Sequence, residues 1–144
     1  MTLFDRLADI VGPANLLTGA DCAPYGRDWM GDYEWQPLAV VRPGSTGEVS
    51  QVMALAHAQG VPVVPIAGRT GITGAGEAQG RLMLSVERMN RIRALKPAAR
   101  LAVVDAGVIL STLHDRAAEA GLYFPLWFGA RGSAMIGGVL STNA

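Results

Sequence analysis

The succession of apolar and polar stretches in the first half of this chain constrains the fold more than any other feature. An apolar run at 38–41, a helix pattern at 45–56 and a second apolar run at 61–66 follow one another within about thirty residues. Ser45 with Glu48 three positions later has the form of a capping box, which marks a helix start. A strand, a helix and a strand at this spacing favour a right-handed parallel βαβ unit.

Glycine is concentrated directly after the second strand. The chain has 18 glycines in 144 residues, and five of them lie in 68–80 and four in 129–138. Ligands of open α/β sheets bind beyond the carboxyl ends of the strands, and glycine lets successive backbone N–H groups approach an anion closely. Residues 65–76 therefore indicate either a phosphate-binding loop or a surface turn in which the glycines serve only geometry. Arg69 would add a positive charge to such a loop.

The second glycine-rich segment, 125–138, alternates small and apolar residues. Together with 65–76, about sixty residues earlier, it could enclose one ligand that carries both phosphates and an apolar ring. The alternative is two tight turns packed on a core. Trp127 and Phe128 either belong to that core or flank a flavin ring.

The remaining predicted elements are shorter. The two prolines beside the strand at 61–66 predict that it lies at an end or an edge of its sheet. Residues 12–36 are predicted to be rich in loops, and 122–144 to be an apolar, glycine-rich connection that stops without a terminating element. Further elements are expected as a helix at 2–11, a strand at 82–86, a strand pair at 91–95 and 101–105, and a helix at 113–120 capped by Ser111.

Several function classes are excluded by composition and motif. Twelve Lys and Arg balance twelve Asp and Glu, which argues against nucleic acid as the main partner. A Gly-Lys-Ser/Thr phosphate loop is absent, and residues 74–80 hold one residue too many for the Rossmann pattern. The single cysteine, Cys22, excludes an internal disulfide and a multi-cysteine metal site, and we expect an inert thiol.

Other candidate groups carry little signal. His57 and His114 are predicted to be ordinary helix residues, and no metal site is predicted. Asp28, Asp32 and Glu34 are expected in a solvated loop. The charged N-terminus is unlike a signal peptide and no apolar run reaches 18 residues, so the expected location is cytoplasmic, with no membrane span.

Five stretches, in the same order, resemble FAD-linked oxidases of the vanillyl-alcohol oxidase/p-cresol methylhydroxylase (PCMH) type. They are 41–43, 62–74, 84–92, 106–108 and 136–144. The resemblance covers about residues 25–144, and within the family it is greatest to D-2-hydroxy-acid dehydrogenases, including enzymes for D-lactate, glycolate and D-2-hydroxyglutarate.

The resemblance implies an α+β, PCMH-type FAD-binding fold: a small parallel βαβ subdomain and the opening strands of a second, mostly antiparallel one. Residues 1–34 would be an N-terminal helix and loop, and 35–144 the N-terminal part of the FAD-binding domain. Such enzymes are several times longer, so the resemblance implies that the fold is incomplete here and that the catalytic groups lie in another domain.

The same resemblance implies non-covalent FAD, since neither glycine-rich segment contains a histidine. Ala67 stands where the family usually has glycine, which requires a negative φ, and Val139 stands where Asn is frequent. No catalytic residue is assigned. The implied cofactor-binding residues are Ile66, Ala67, Gly68, Arg69, Thr70, Gly71, Ile72, Gly74, Pro125, Gly129, Gly132, Ser133, Ile136, Gly137, Gly138, Ser141 and Thr142.

The implied activity is oxidation of a D-2-hydroxy acid by hydride transfer to flavin, with the 144 residues alone inactive. The small 2-hydroxy-acid substrate would bind through the other domain, and a homo-oligomer or a partner subunit is compatible with the sequence. The alternative hypothesis is a non-catalytic binding or interaction module, or a truncated gene product without turnover.

Overall fold

A computed structural model describes residues 1–144, the whole sequence. Short 3-10 turns at Pro13–Asn15, Gly19–Tyr25, Pro97–Ala99 and Gly129–Gly132 connect the regular elements. These elements are α1 (Leu3–Val11), β1 (Leu16–Leu17), β2 (Ala39–Val41), α2 (Thr46–Ala58), β3 (Val63–Ile66), β4 (Leu82–Ser85), β5 (Ile92–Lys96), β6 (Leu101–Val104), α3 (Leu110–Glu119) and α4 (Ile136–Ser141).

Three strands of the main sheet run parallel in the order β2-β4-β3, and β1 adds an antiparallel edge beside β2. The predicted succession of strand, helix and strand is confirmed by β2, α2 and β3. β4 lies between β2 and β3, so the crossover through α2 skips one strand position. β2 and β4 are buried along their whole length, as central strands covered on both faces should be. β3 lies at the edge, as its prolines predict.

Alternate residues of the two central strands face two separate apolar clusters. Ala39 and Val41 pack beneath α1 and α2, with Leu82 and Leu84 of β4 on the same side. Val40 faces the opposite side. There the N-terminal segment covers the sheet with a second cluster, formed by Cys22, Tyr25, Val40, Ala78 and Met83. Residues before the first parallel strand therefore complete one side of the core.

Cys22 is buried in this second cluster. Its thiol donates to the carbonyl oxygen of Leu17, 3.3 Å away, and burial raises the pKa of the thiol above its ordinary value. The reactive thiolate is disfavoured, in agreement with the expected inert role.

Of the two predicted helix caps, the one at Ser45 is confirmed and the one at Ser111 is not. Ser45 does precede α2, and its hydroxyl accepts from the Glu48 N–H at 3.1 Å. The Glu48 carboxylate, however, accepts from the Gly44 N–H at 2.8 Å, one residue earlier than in a capping box. The prediction that Ser111 caps the next helix is wrong. α3 begins at Leu110, whose N–H donates to the distant Ala134 carbonyl, and no side chain caps this helix.

The second half of the chain begins with the predicted antiparallel pair, β5 and β6. Asp105, at the end of β6, is buried and accepts from Arg91 at 3.2 Å and from Arg93 at 2.5 Å. Burial raises the pKa of Asp105, but the two arginines outweigh burial and hold the pKa below its ordinary value. A third apolar cluster lies beneath α3, formed by Val108, Leu110, Leu113 and Ile136.

The sequence reading missed two elements. Residues 136–141 form α4, although 122–144 was predicted to be a connection that stops without a terminating element. Gly137 and Gly138 weaken any helix signal, and contacts from elsewhere fix this one: the Ile136 N–H donates to Val108 and the Gly137 N–H to Ala106. In the predicted loop region, β1 has only two residues, and it forms because it pairs with β2.

Candidate functional site

The glycine-rich loop, residues 66–76, begins at Ile66, where β3 ends. β2, β3 and β4 are parallel, so their carboxyl ends share this edge of the sheet. The loop therefore lies where open α/β sheets bind ligands.

The second glycine-rich segment, residues 125–142, contacts this loop directly. A Cβ atom placed on Gly68 would overlap the Ser133 carbonyl oxygen and lie 2.9 Å from the Ala134 Cα. A Cβ on Gly138 would lie 3.3 Å from the Ala67 Cβ. Two segments about sixty residues apart in sequence thus meet backbone to backbone at Gly68 and Ser133.

At three other glycines, neighbouring atoms leave room for a side chain. Around Gly71, Gly129 and Gly132, an added Cβ would meet no atom within 4 Å, and their φ angles lie outside the positive range that favours glycine. All three are exposed and lie in the two contacting segments. Bare backbone facing open space is what close approach of a phosphate to N–H groups requires, so these residues fit a dinucleotide ligand.

Arg69 and Ala67 have different backbone conformations. Arg69 adopts a left-handed φ of 54°, and Ala67 does not lie in the positive range, as its departure from glycine requires. The Arg69 guanidinium is directed at the N-terminal segment: it donates to the Pro24 carbonyl and lies 4.6 Å from the Tyr25 ring centre. Arg69 therefore presents backbone, rather than its charge, along the loop.

A polar network ties Tyr25 to the ends of the central strands. The Glu87 carboxylate accepts from the Tyr25 hydroxyl at 2.9 Å and from the Ser85 hydroxyl at 3.1 Å, and it pairs with Arg42 at 3.3 Å. Burial, followed by the hydrogen bond and charge of Glu87, raises the pKa of Tyr25, so this hydroxyl remains a neutral donor. The network holds the N-terminal segment, and with it the Arg69 contact, against the sheet.

The sequence reading missed this network. Tyr25 and Glu87 are 62 residues apart, and neither lies in a glycine-rich segment. The available signal was the pair of polar residues, Ser85 and Glu87, at the end of a buried strand.

Trp127 and Phe128 play different roles. Phe128 packs partly buried against the third apolar cluster. Trp127 is 58% exposed; its ring stacks on His114 with ring centres 5.0 Å apart, and the Arg131 guanidinium lies 4.1 Å from the ring centre. The His114 ring nitrogen Nε2 lies 2.8 Å from the Leu126 carbonyl oxygen, which anchors this stack to α3. Trp127 thus stacks with its own chain.

Other predicted site residues occupy diverse positions. Ile136 is buried in the third cluster, and the Thr142 hydroxyl donates to the Gly138 carbonyl at 3.0 Å. Gly137 packs against Ala106, and Gly74 has a positive φ of 73° with its Cβ position 3.5 Å from the Tyr33 ring. Thr70 is partly buried, and the side chains of the remaining positions Ile72, Pro125, Ser133 and Ser141 are exposed.

The weak candidates show no catalytic grouping. His57 is exposed on α2, and Asp28 is buried, contrary to the expectation of a solvated loop; Asp32 and Glu34 are exposed. No three His, Cys, Asp or Glu residues are placed to hold a metal ion. The longest helix, α2, has 13 residues, and no helix has the length and apolar character to cross a bilayer.

The relatives by sequence include two bacterial proteins named D-2-hydroxyglutarate dehydrogenase. The chain is 47% identical over 126 residues to D-2-hydroxyglutarate dehydrogenase of Xanthomonas citri pv. viticola, a match that covers 87% of this chain and 27% of that protein. It is 38% identical over 144 residues to D-2-hydroxyglutarate dehydrogenase of Stutzerimonas stutzeri, covering 99% of this chain and 31% of that protein. The chain thus spans about three tenths of the length of these relatives.

Solved structures show the same fold. Alkyldihydroxyacetonephosphate synthase superposes with a TM-score of 0.86 at 20% identity, over 99% of this chain and 31% of that one. p-Cresol methylhydroxylase superposes with a TM-score of 0.79 at 23% identity, over 98% of this chain and 28% of that one. The predicted PCMH-type mixed α and β fold is confirmed.

A protein family described as FAD binding domain matches residues 37–144, three quarters of the sequence. The match includes both glycine-rich segments, the carboxyl ends of the parallel strands and the contact between Gly68 and Ser133. The predicted cofactor, FAD, is confirmed at the level of the family, and the chain belongs to the FAD binding domain family.

Proposed function

We propose that this chain is the FAD-binding part of a flavin-dependent oxidoreductase that oxidises a D-2-hydroxy acid. One structural observation carries the cofactor site: two glycine-rich segments meet at the carboxyl edge of a parallel sheet and leave Gly71, Gly129 and Gly132 facing open space. The substrate class rests on the relatives named D-2-hydroxyglutarate dehydrogenase, which are about three times longer than this chain.

In this proposal, loop 66–76 holds the diphosphate through backbone N–H groups, and segment 125–142 flanks the ribityl chain and the isoalloxazine. Most predicted residues act through their backbone, since Arg69 is bound to Pro24 and Tyr25, and the Thr142 hydroxyl donates to Gly138. The side chain of Ile136 supports the segment from the core. Residues 35–144 form the cofactor-binding part, and 1–34 pack on it.

Bound FAD supplies the acceptor for two electrons from the carbinol C–H bond of the substrate. The residues of this chain bind and orient the cofactor and exclude water from one of its sides. They contribute no general base, and we assign the catalytic groups and the substrate carboxylate ligands to the rest of a longer enzyme. We expect non-covalent binding, because neither segment carries the histidine that a histidyl–flavin link would need. The proposed location is cytoplasmic.

Reconstitution tests the cofactor site. The purified chain is incubated with excess FAD, passed through a desalting column and examined for visible flavin absorbance before and after acid precipitation. Retained flavin that stays soluble on precipitation supports a non-covalent site. A colourless protein would contradict the site and favour a non-catalytic module.

A longer protein that carries this chain tests the substrate class. With a dye acceptor, it should oxidise D-2-hydroxyglutarate or D-lactate in preference to the L-enantiomers, whereas residues 1–144 alone should give no turnover. Turnover by the 144 residues alone, or a preference for L-acids, would contradict the proposal.

A further inference from the structure

Loop 66–76 has almost no hydrogen-bonded framework of its own. None of the backbone N–H groups of residues 67–76 donates to a backbone carbonyl, and the next N–H, that of Glu77, donates to the Gly74 carbonyl at 3.0 Å. Backbone hydrogen bonds fix the shape of helices, strands and most turns. Contacts from elsewhere in the chain must therefore fix the shape of this loop, and several of them come from the N-terminal loop, residues 24–35.

The first of these contacts is made by Arg69, which is the one residue of loop 66–76 other than glycine with a left-handed φ, 54°. A residue with a side chain adopts this conformation at a cost in free energy, and it persists where the surroundings hold it. The Arg69 guanidinium donates to the Pro24 carbonyl and lies 4.6 Å from the Tyr25 ring centre. The long side chain thus ties the left-handed backbone of the loop to a point outside it.

That point is itself firmly held. Tyr25 is only 6% exposed and belongs to the second apolar cluster, and its hydroxyl donates to the Glu87 carboxylate at 2.9 Å. The following residue, Gly26, accepts from the Trp35 N–H at 2.8 Å, which closes the N-terminal loop on itself. Arg69 is therefore bound to a rigid part of the core rather than to a free surface loop.

The second contact lies at the other end of the glycine-rich loop. A Cβ on Gly74 would lie 3.5 Å from the Tyr33 ring, so this ring lies beside the Gly74 backbone. Tyr33 is fixed in turn by Asp28, since its N–H donates to the Asp28 carboxylate and its carbonyl accepts from the Asp28 N–H, both at 3.1 Å. One rigid loop thus holds both ends of residues 70–73.

Holding these residues in place matters for a ligand bound through backbone N–H groups. Ordering a loop when the ligand binds costs conformational entropy, and a loop that is already ordered avoids this cost. A loop that adopts its binding conformation for only a fraction of the time binds with its affinity reduced by that fraction. Any contact that keeps residues 70–73 ordered therefore raises the affinity for the ligand without touching it.

We propose that the N-terminal loop holds residues 70–73 in their binding conformation before FAD arrives, through Arg69 at one end and Tyr33 at the other. The proposal rests on the proposed FAD site. In it, the side chains of Arg69 and Tyr33 are positioning residues for the cofactor. Residues 24–35 precede the part of the chain that matches the FAD binding domain, 37–144, so FAD affinity is set in part from outside that match.

Backbone order parameters from NMR relaxation test the proposal on the chain without FAD. The amides of residues 70–73 should be rigid in the wild type, with values of about 0.85, and should fall below about 0.6 in Arg69→Asn. Asparagine tolerates a left-handed φ but is too short for both contacts. Arg69→Lys, which is long enough to reach the Pro24 carbonyl, should restore the order. Arg100→Asn is the matched control, because Arg100 is exposed and also left-handed, with φ 51°, in the turn before β6.

Calorimetric titration with FAD tests the consequence for affinity. Arg69→Asn and Tyr33→Ala should each weaken binding by about tenfold, as a binding-competent fraction of about one tenth would. Arg69→Lys and Arg100→Asn should bind like the wild type. Because Tyr33 carries no charge, its effect separates positioning of the loop from direct attraction between the Arg69 guanidinium and the diphosphate.

Equal order parameters at residues 70–73 in the wild type and in Arg69→Asn would overturn the proposal, and so would equal FAD affinities. Where Arg69→Asn does not fold by circular dichroism, Tyr33→Ala decides in both measurements. If the wild type binds no FAD, the proposed function itself fails. The order parameters, which need no FAD, then still decide whether the N-terminal loop holds residues 70–73.

Discussion

Gly68 and Ser133 lie so close that a single methyl group on Gly68 would overlap the Ser133 carbonyl oxygen. The same methyl would lie 3.0 Å from the Met135 backbone nitrogen. Because these neighbours are backbone atoms, they cannot move aside as a flexible side chain would. The contact fixes the distance between the two glycine-rich segments and thus the width of the proposed cofactor site.

Gly68→Ala should therefore destabilise the fold by about 1–3 kcal/mol or more, the usual cost of overpacking a close contact. The free energy of unfolding from urea titration measures this cost. Gly129→Ala, in the second segment but facing open space, serves as the control. Equal stabilities of the two variants would show that the segments do not meet as described.

Gly71, unlike Gly68, should accept an added methyl group without loss of stability. Gly71→Ala meets no atom within 4 Å and has no positive φ to strain, so it should leave the unfolding free energy unchanged or raise it by about 0.4–1 kcal/mol. Gly71→Val should fold but lose FAD in the desalting assay, because its branched side chain blocks close approach of the diphosphate. Gly47→Val, at the start of α2, should retain FAD. A Gly71→Val protein that keeps FAD would exclude this glycine from the site.

Arg69 combines a left-handed backbone with two side-chain contacts. Arg69→Ala and Arg69→Gly both remove the contacts with Pro24 and Tyr25, but only glycine adopts a φ of 54° without cost. The glycine variant should be more stable than the alanine variant by about 1 kcal/mol. Thermal denaturation of the pair checks this difference, and a more stable alanine variant would contradict the left-handed conformation.

Glu87 should be the most sensitive position of the polar network. Glu87→Gln removes the charge that pairs with Arg42 and accepts from Tyr25, and it should lower the unfolding free energy by about 1–3 kcal/mol. Glu119→Gln breaks a pair with Arg116 in which both side chains are more than half exposed, and it should cost less than about 0.5 kcal/mol. Similar losses at the two sites would argue against a special role for Glu87.

Asp105 should make the free energy of unfolding depend on pH under acidic conditions. Burial raises the pKa of Asp105, but Arg93 and Arg91 outweigh burial and hold the pKa below 3.8. A carboxyl with a lowered pKa contributes stability that is complete above its unfolded value and is lost as the pH falls through the folded value. Urea midpoints should thus decrease below about pH 4, and less steeply in Asp105→Asn. Exposed Asp115→Asn is the control, and an equally steep decrease in Asp105→Asn would disprove the assignment.

The parallel unit and the first loop could be predicted because their signals are local. The apolar runs, the prolines beside β3 and the glycines after it each lie within a few residues of the feature they determine. The similar composition of the two segments predicted that they enclose one ligand, and the resemblance to FAD-linked oxidases identified that ligand as FAD.

The missed features depend on contacts between distant residues. α4 contains two adjacent glycines and forms because Ala106 and Val108 accept its first N–H groups. α3 begins at Leu110, whose N–H donates to the Ala134 carbonyl. The bond from Tyr25 to Glu87 and the burial of Asp28 likewise require the N-terminal loop to lie against the sheet, which no local pattern in 12–36 indicates.

The edge position of β3 has a consequence for how copies of this chain meet. The Leu82 N–H donates to the Pro62 carbonyl, and the Val86 N–H donates to the Ile66 carbonyl. The backbone N–H and C=O groups of the even-numbered residues of β3 therefore point to β4, and those positions at Pro65 point away from it. That outer edge lacks a donor at Pro65, and the opposite edge, β1, is two residues long. Neither border offers a ladder for another strand. The main sheet is thereby closed to lateral growth, and strand addition is instead expected at the β5–β6 hairpin, where Leu101 and Val103 are more than two-fifths exposed.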